Sequence, residues 1–168
     1  MTADPALQGA LSVLPHPVAA PESQTLLRRY YTELVSRYHG RPTDDAEVSA
    51  VLAEEPSDDL TPPTGEFAVA RLDGRPVGCA GVRVAGPGTT ELTRVYVAPE
   101  ARRRGVAAAL VAAAEELARE AFGAGLMRLD TRHDLVEARA LYARLGYREV
   151  PAFNNSPYAH YWFAKPLS

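Results

Sequence analysis

Residues 91–110 limit the choice of fold more than any other part of the chain. They begin as an alternating apolar segment typical of a strand, break at Pro99, and continue as an alanine-rich segment typical of a helix. Three consecutive arginines and Gly105 stand between the two segments. A strand that passes through a basic, glycine-containing turn into a helix predicts a place where an anion such as phosphate can bind.

The physical chemistry of this turn suits phosphate. The first N–H groups of a helix have no partner inside it and carry the positive end of the helix dipole. Gly105 has no Cβ, so the backbone can approach a bulky anion, and Ala107 and Ala108 keep the first helical turn slim. Neighbouring side chains point in different directions, so we expect one arginine of residues 102–104 to contact phosphate. The others would face solvent or a more distant phosphate.

An arginine run alone is as typical of a solvated basic surface as of an anion-binding turn. The spacing of the residues around it decides between these two interpretations. Read from Val97, the residues follow V-x-P-x-x-R-x-x-G-x-A. This pattern resembles the acetyl-CoA-binding motif of the GNAT superfamily of acyl-CoA-dependent N-acetyltransferases. Arg102, Gly105 and Ala107 fill the three fixed positions of that motif. Arg103 stands where the family usually has a glycine.

Length and composition favour one domain that spans residues 1–168. A chain of 168 residues can bury a core without disulfides or metals. Its single cysteine, Cys79, excludes an intramolecular disulfide, and the apolar run VGCAGV favours a buried structural thiol over a nucleophile. The sequence contains no cluster of metal ligands, so we expect no metal site.

Charge and hydropathy bear on location and on partners. The N-terminus lacks a basic start followed by a long apolar run, and no stretch reaches the roughly 20 apolar residues that span a bilayer. We therefore expect a soluble, cytoplasmic protein without a membrane partner. The net charge of -3 argues against a nucleic-acid partner, because such domains are usually basic.

The first half of the chain predicts two helices and a meander of strands. Residues 1–20 are rich in Pro and Ala and are a candidate for a partly flexible segment, with a short strand near residues 11–14. Apolar residues at helical spacing predict helices over 22–38 and 44–54. Strands are predicted over 67–72, 76–84 and 89–97, and Asp73-Gly74 marks a hairpin between the first two.

The second half alternates between helices and strands. We predict a helix over 104–121 with Glu115 on its polar face, a strand over 126–131, a helix over 135–145, a short strand over 147–150 and a last strand near the C-terminus. Gly123 ends the first of these helices. This order predicts α/β packing, with a helix connecting parallel neighbouring strands.

The resemblance continues in ARALYARLGYREV, residues 138–150, which looks like the family segment A-x-x-L-Y followed by G-Y. It implies an α/β (α+β) fold with a mixed, mostly antiparallel sheet of six to seven strands and about four flanking helices. The sheet would be splayed between strands 91–97 and 126–131. Leu135 replaces an asparagine that is usual in the family, so any polar contact of that asparagine is missing or replaced.

The resemblance also implies where acetyl-CoA would bind as co-substrate. Its pantetheine arm would lie in the splayed gap, hydrogen-bonded by backbone groups of Val95 and Val97, with the diphosphate on the arginine turn. The Tyr96 side chain would point to the opposite face, where a ring packed in the core fits as well as a cofactor contact. The complete set expected at the cofactor is Val95, Tyr96, Val97, Arg102, Arg103, Arg104, Gly105, Val106, Ala107 and Ala108.

Acetyl transfer requires a base for the amine, a donor that polarises the thioester carbonyl, and an acid for the leaving thiolate. The resemblance assigns the polarisation to the backbone N–H of Val97 and the acid to Tyr142. From spacing alone, a ring packed in the core is the favoured interpretation of Tyr142. Glu91 is the candidate base, and a solvated carboxylate or one paired with Arg94 fits its position as well.

Other polar residues are weaker candidates for these roles. Asp130 and His133 lie at the far end of the next strand, and a lone histidine such as His133 or His160 is more often structural or solvated. The acceptor site is expected near the first two helices and residues 153–157. Its candidate lining residues are Tyr30, Glu33, Tyr38, Asn154 and Asn155, although Tyr30 and Tyr38 better fit the core.

The sequence leaves the acceptor open among a small amine, an amino acid, a drug-like amine and a protein N-terminus. It predicts an N-acetyltransferase that uses direct attack of a primary amine on the thioester. The alternative is a non-catalytic acyl-CoA-binding sensor, which the retained Tyr142 disfavours because binding alone needs no proton donor. Modification of a charged tRNA is disfavoured by the acidic charge balance. A homodimer stays open.

Overall fold

The computed structural model describes residues 10–168. The first nine residues of the candidate flexible segment 1–20 therefore lie outside the described residues. The elements are β1 (Leu11–Pro15), α1 (Pro21–His39), α2 (Asp45–Glu54), β2 (Gly65–Leu72), β3 (Arg75–Gly86), β4 (Thr89–Val97), α3 (Val106–Phe122), β5 (Leu126–Thr131), α4 (Val136–Arg144), β6 (Arg148–Glu149) and β7 (Tyr161–Pro166). These elements confirm the predicted order of strands and helices.

The strands form one sheet in the order β1-β2-β3-β4-β5-β7-β6. All neighbouring pairs are antiparallel except β4 and β5, which are parallel and connected through α3. Asp73 and Gly74 both have positive φ, 52° and 81°, which matches the twist of the β2-β3 hairpin. The mixed, mostly antiparallel sheet with four helices confirms the predicted fold class.

The pairing of β4 with β5 is short. Its register comprises Thr89 with Leu126, Thr90 with Met127, and Glu91 with Arg128. Both strands continue beyond this point, to Val97 and Thr131. The sheet therefore opens between its two central strands from Glu91 onward.

A bulge interrupts β4 at Arg94. Thr93 pairs with Gly81 and Tyr96 pairs with Cys79, so two residues of β4, Arg94 and Val95, oppose one residue of β3. Arg94 has a φ of 53°, in the left-handed region that arginine rarely adopts. The bulge reverses which face of the sheet the following side chains reach.

Hydrogen bonds hold the Arg94 guanidinium at the bulge. Its Nε donates to Ser57 Oγ at 3.2 Å, Nη1 donates to Thr93 Oγ1 at 2.8 Å, and Nη2 donates to the carbonyl of Glu55 at 3.3 Å. The side chain is buried, and these bonds satisfy its charge with neutral acceptors. The segment after α2 is thereby tied to the centre of the sheet.

A separate hydrophobic core lies on each face of the sheet. One core packs α3 and α4 against the strands through Leu110, Met127 and Leu129, and it includes Leu92. The other core packs α1 against the opposite face, and it includes Tyr96. Leu92 and Tyr96 would share a face in a regular strand, so their separation is a direct result of the bulge.

One helix prediction was wrong in detail. Glu115 is buried on α3, where Lys165 Nζ lies 2.7 Å from its Oε1 and the Tyr147 hydroxyl donates to Oε2 at 3.3 Å. The carboxylate is buried because Lys165 of β7 supplies a cation and Tyr147, which follows α4, supplies a hydroxyl. Within residues 10–168, no helix combines the length and apolar character needed to cross a bilayer.

Candidate active site

The turn before α3 presents a row of unpaired backbone amides. The N–H groups of residues 103–108 have no hydrogen-bond acceptor within the described part of the chain. Gly105 is the N-cap of α3, with a φ of 76° and no side-chain cap. Because the helix dipole adds positive potential at this end, the amides are arranged so that an anion could accept hydrogen bonds from them.

A cleft of about 170 Å³ lies beside these amides. It contains seven of the residues predicted at the cofactor, and α4 closes its other side. The lining residues are Val97, Ala101, Arg102, Arg103, Gly105, Val106, Ala107, Ala108, Leu141 and Arg144. The structure therefore brings the arginine turn together with the helix that carries Tyr142.

Three predicted cofactor residues do not line this cleft. Val95 packs against the core on the α3 face. The Tyr96 ring lies on the opposite face, with its centroid 6.4 Å from that of Tyr30 and 5.9 Å from Arg29 Cζ. Arg104 is exposed. For Tyr96, the structure agrees with the alternative of a ring packed in the core.

Arg102 is engaged within the protein. Its Nη2 lies 2.7 Å and 2.8 Å from the two carboxylate oxygens of Glu33, and its Nε donates to the Val97 carbonyl at 3.0 Å. No hydrogen bond or ion pair ties the Arg103 side chain to another residue in the range 10–168, and Arg103 also lines the cleft. Arg103 is thus the better placed of the two to contact an anion.

The backbone of β4 directs one free amide into the opening of the sheet. Ala98 donates its N–H to the Val77 carbonyl at 2.7 Å, so this amide points toward β3. Successive amides of a strand point to opposite sides, and the N–H of Val97 therefore points toward the gap between β4 and β5. This arrangement agrees with the predicted role of the Val97 N–H.

Tyr142 lies on α4 and is 7% exposed. Its ring packs against Tyr147 and Phe163, with centroids 5.8 Å and 6.4 Å away. No hydrogen-bond partner for its hydroxyl occurs in the part of the chain that the structure describes. Burial raises the pKa of Tyr142 above its usual value, so the phenol stays protonated at neutral pH.

Glu91 occupies the last paired position before the sheet opens. Its partner is Arg128, whose Nε lies 3.8 Å from Glu91 Oε2, and the alternative pairing with Arg94 is wrong because Arg94 bonds elsewhere. Burial, and then the nearby charge of Asp130, raise the pKa of Glu91 above its usual value. A carboxylate with a raised pKa at the edge of the gap can act as a base near neutral pH.

A polar network surrounds Asp130 on the face of the sheet that carries α1. Asn154 donates from Nδ2 to Asp130 Oδ2 at 2.8 Å, and Trp162 Nε1 donates to Asn154 Oδ1 at 3.0 Å. Sequence reasoning named Asn154 and Asp130 but missed Arg128. The alternation in LMRLDT was the available signal, because it places Arg128 and Asp130 on the face opposite Met127 and Leu129.

None of the remaining candidates has a side-chain hydrogen bond to Asp130, Asn154 or Trp162 within residues 10–168. His133 and His160 form a surface pair with 3.0 Å between their Nδ1 atoms. Tyr30 packs against the α1 core, as predicted, and Asn155 is exposed. Tyr38 is 59% exposed and contacts Tyr158 edge to face, with 5.6 Å between the ring centroids, so its expected place in the core was wrong.

Cys79 is a buried thiol, as predicted. Its Sγ donates to the Arg94 carbonyl at 3.3 Å, and burial raises its pKa above the usual value for a thiol. A thiol with these properties is not a nucleophile at neutral pH. Among residues 10–168, no group of three or more His, Cys, Asp or Glu side chains is arranged to hold a metal ion.

Known sequences place the chain among acetyltransferases. Residues 25–147 match the family model described as the Acetyltransferase (GNAT) family. The chain is 35% identical over 98 residues to an uncharacterised N-acetyltransferase of Schizosaccharomyces pombe. That match covers 57% of this chain and 60% of the yeast protein, so the chain spans about three fifths of that relative's length.

Solved structures show the same fold. A protein from Klebsiella pneumoniae, assigned as an acyl-CoA N-acyltransferase, is 26% identical with a TM-score of 0.71, over 94% of this chain and 98% of that one. The PaiA N-acetyltransferase of Thermoplasma acidophilum, solved in complex with coenzyme A, is 16% identical with a TM-score of 0.71, over 94% and 99%.

A third solved structure, nourseothricin acetyltransferase, is 27% identical with a TM-score of 0.55, over 63% of this chain and 67% of that one. The family match covers well over half of the chain, including the amide row, the splayed strands and α4. The chain therefore belongs to the Acetyltransferase (GNAT) family.

Proposed function

We propose that this chain is an N-acetyltransferase that transfers the acetyl group of acetyl-CoA to a primary amine by direct attack on the thioester. The observation that carries the proposal is the row of unpaired amides at residues 103–108, beside a sheet that opens after Glu91. The amides fit a diphosphate, and the opening fits an extended chain that ends near Val97.

The residues present fit coenzyme A as a co-substrate. The amide row and the Arg103 side chain would hold the diphosphate, while Leu141 and Val97 offer apolar walls to the pantetheine arm. Arg102 would take part once Glu33 releases its guanidinium. This coenzyme delivers the acetyl group as a thioester, and the remaining chemistry belongs to the protein's own groups.

Glu91 acts as the base in this proposal. The acceptor arrives as an ammonium ion, and the Glu91 carboxylate, six residues before Val97 along β4, removes one proton through a chain of water molecules to free the nitrogen lone pair. The raised pKa of Glu91 improves its match to this task. The nitrogen then forms a bond to the carbonyl carbon, while the Val97 N–H donates to the carbonyl oxygen.

Tyr142 acts as the acid. When the carbon–sulfur bond breaks, the Tyr142 hydroxyl donates its proton to the departing thiolate, and the excess proton of the new amide nitrogen restores the phenol through solvent. Its hydroxyl has no hydrogen-bond partner in the described chain, so the proton is not committed elsewhere. The high pKa keeps the acid form populated at neutral pH.

The test combines a binding measurement with a turnover measurement. Calorimetry with acetyl-CoA gives the affinity, and release of the free thiol across a panel of primary amines, amino acids, peptides and nourseothricin gives the rate. We expect micromolar binding and amine-dependent thiol release. Binding without turnover by the panel or by cell extract would support the alternative of an acyl-CoA sensor, and absence of binding would contradict both.

A further inference from the structure

Arg128 occupies an unusual position on the face of the sheet that carries α1. It lies opposite Glu91 in the last paired position before the sheet opens, with 3.8 Å between its Nε and Glu91 Oε2. Its guanidinium carbon lies 4.2 Å from the centre of the Phe153 ring, which supports one face of the cation. The side chain is therefore held at the edge of the gap.

The donors of Arg128 are unused. No hydrogen bond from any of its nitrogens to a residue in the range 10–168 is present, and its Nε is buried without an acceptor. A buried N–H without an acceptor is costly, and native proteins seldom keep one without a reason. An acceptor that arrives with a ligand would remove this cost.

Neighbouring arginines on the same face do not share this property. Arg83 pairs with Asp59, and Arg94 bonds to Ser57 and Thr93. Like Arg128, both cations lower the pKa of Glu91 through their charge. Unlike Arg128, they donate side-chain hydrogen bonds to acceptors within the protein. Arg128 is thus the cation of these three that has donors to offer.

The charges around Arg128 define what it can bind. Glu91 lies on one side, and Asp130, two residues along β5, is fixed by Asn154. A carboxylate and a guanidinium 3.8 Å apart match a ligand that carries an ammonium and a carboxylate on the same carbon. Arginine is the residue best suited to bind a carboxylate through two parallel hydrogen bonds.

We propose that the acceptor is an α-amino acid whose carboxylate is bound by Arg128, with its amine on the side of the opening and its proton passed through water to Glu91. This inference rests on the proposed acetyl transfer, and it selects one acceptor class from those that the sequence leaves open. Arg128 is a specificity-determining residue, which binds the acceptor and takes no proton.

Matched acceptor pairs test the inference. Phenylalanine with phenethylamine, tryptophan with tryptamine, and lysine with cadaverine each differ by one carboxylate. We expect kcat/KM for thiol release to be at least about tenfold higher for the amino acid of a pair, which corresponds to one good charged hydrogen-bond pair. Arg128→Met keeps much of the side-chain length, and it should bring the ratio of kcat/KM within each pair to about one.

Two further variants keep the test specific. Arg148 lies beside Ala164 in β6, as Arg128 does in β5, and it is exposed, so Arg148→Met should leave the preference unchanged. Arg128→Lys keeps the charge but loses the paired donors, and it should give an intermediate preference. An unchanged affinity for acetyl-CoA in each variant shows that the fold is intact.

The possible failures can be told apart. If decarboxylated amines are acetylated as well as their amino acids, or if Arg128→Met leaves the ratio of kcat/KM unchanged, the inference is overturned and the proposed function stands. If acetyl-CoA binds but no amine of any kind is acetylated, both are overturned.

Discussion

Arg102 and Glu33 form a close ion pair that joins the anion-binding turn to α1. The Arg102 Nη2 contacts both carboxylate oxygens of Glu33, at 2.7 Å and 2.8 Å. A second pair joins the same two elements, because Arg29 contacts Glu100 with two nitrogen–oxygen distances of 3.2 Å. A helix expected at the acceptor site is thus tied to the turn expected at the cofactor.

Glu33→Gln should strengthen the binding of acetyl-CoA by up to about fivefold. The change frees Arg102 and removes a negative charge beside the amide row, and an exposed ion pair is worth roughly 0–1 kcal/mol. Calorimetry gives the affinity, and Glu100→Gln is the matched control, because it removes a nearby charge without freeing Arg102. Equal or weaker binding by Glu33→Gln would show that the pair positions Arg102 for the cofactor.

Gly105→Ala should weaken acetyl-CoA binding at least about tenfold, or 1.4 kcal/mol. The control is Gly123→Ala at the other end of α3. Both glycines have positive φ, 76° and 59°, with open space where a Cβ would lie, so each change should cost a similar free energy of unfolding, about 1–2 kcal/mol. Only Gly105 lines the cleft. Equal affinities of the two variants would contradict the placement of the diphosphate.

Tyr142→Phe should lower kcat by about 10²-fold with the affinity for acetyl-CoA unchanged, because it removes a general acid. Its stability should change by less than about 0.5 kcal/mol, since the hydroxyl has no hydrogen bond to lose within residues 10–168. Tyr147→Phe is the converse control. It removes a hydrogen bond to Glu115 and should cost about 0.5–1.5 kcal/mol of stability with little effect on kcat.

Those two variants separate chemistry from packing. Stopped-flow thiol release and urea unfolding measure the two quantities on the same preparations. If Tyr142→Phe retains the wild-type kcat, the phenol is a core ring and another group protonates the thiolate.

The acid limb of the pH-rate profile should belong to Glu91. Burial and the charge of Asp130 raise its pKa, so the carboxylate becomes protonated at a higher pH than an ordinary glutamate and kcat/KM falls as pH decreases through that value. Glu91→Gln should lower kcat/KM about 10²-fold at neutral pH and remove this limb. A limb that persists in the variant would assign the base to another residue.

The raised pKa of Glu91 also predicts how the stability of the fold depends on pH. A carboxyl whose pKa is higher in the folded state than in the unfolded state stabilises the fold through its bound proton at low pH, and this stabilisation is lost as pH rises through the folded pKa. Glu91→Gln should therefore unfold at higher urea concentration than the wild type at pH 7 to 8. The difference should shrink as pH falls toward 4.

Much of the fold was predictable from local patterns. The alternation of β4 and β5, the apolar face of α3 and the hairpin at Asp73-Gly74 are each set by a few neighbouring residues. The amide row was predictable for the same reason, because Gly105 and the alanines after it specify an uncapped helix start.

Features that depend on distant residues were not predictable. Glu115 is buried because Lys165, 50 positions later, supplies a cation, and helical spacing carries no information about that partner. The left-handed Arg94 depends on Ser57 and on the Glu55 carbonyl after α2, which lie 37 and 39 positions earlier in the sequence. The position of Arg128 likewise depends on a distant loop, which places the Phe153 ring against its guanidinium.

Because of the bulge at Arg94, odd-numbered residues of β4 face one side of the sheet before it and the opposite side after it. Before it, Glu91 faces the side of α1, and after it, Val97 faces the cleft beside α3 and α4. Two reactants can consequently enter by separate routes and meet at one edge without passing each other. Direct transfer between two reactants bound in this way proceeds through a ternary complex, so double-reciprocal plots should intersect.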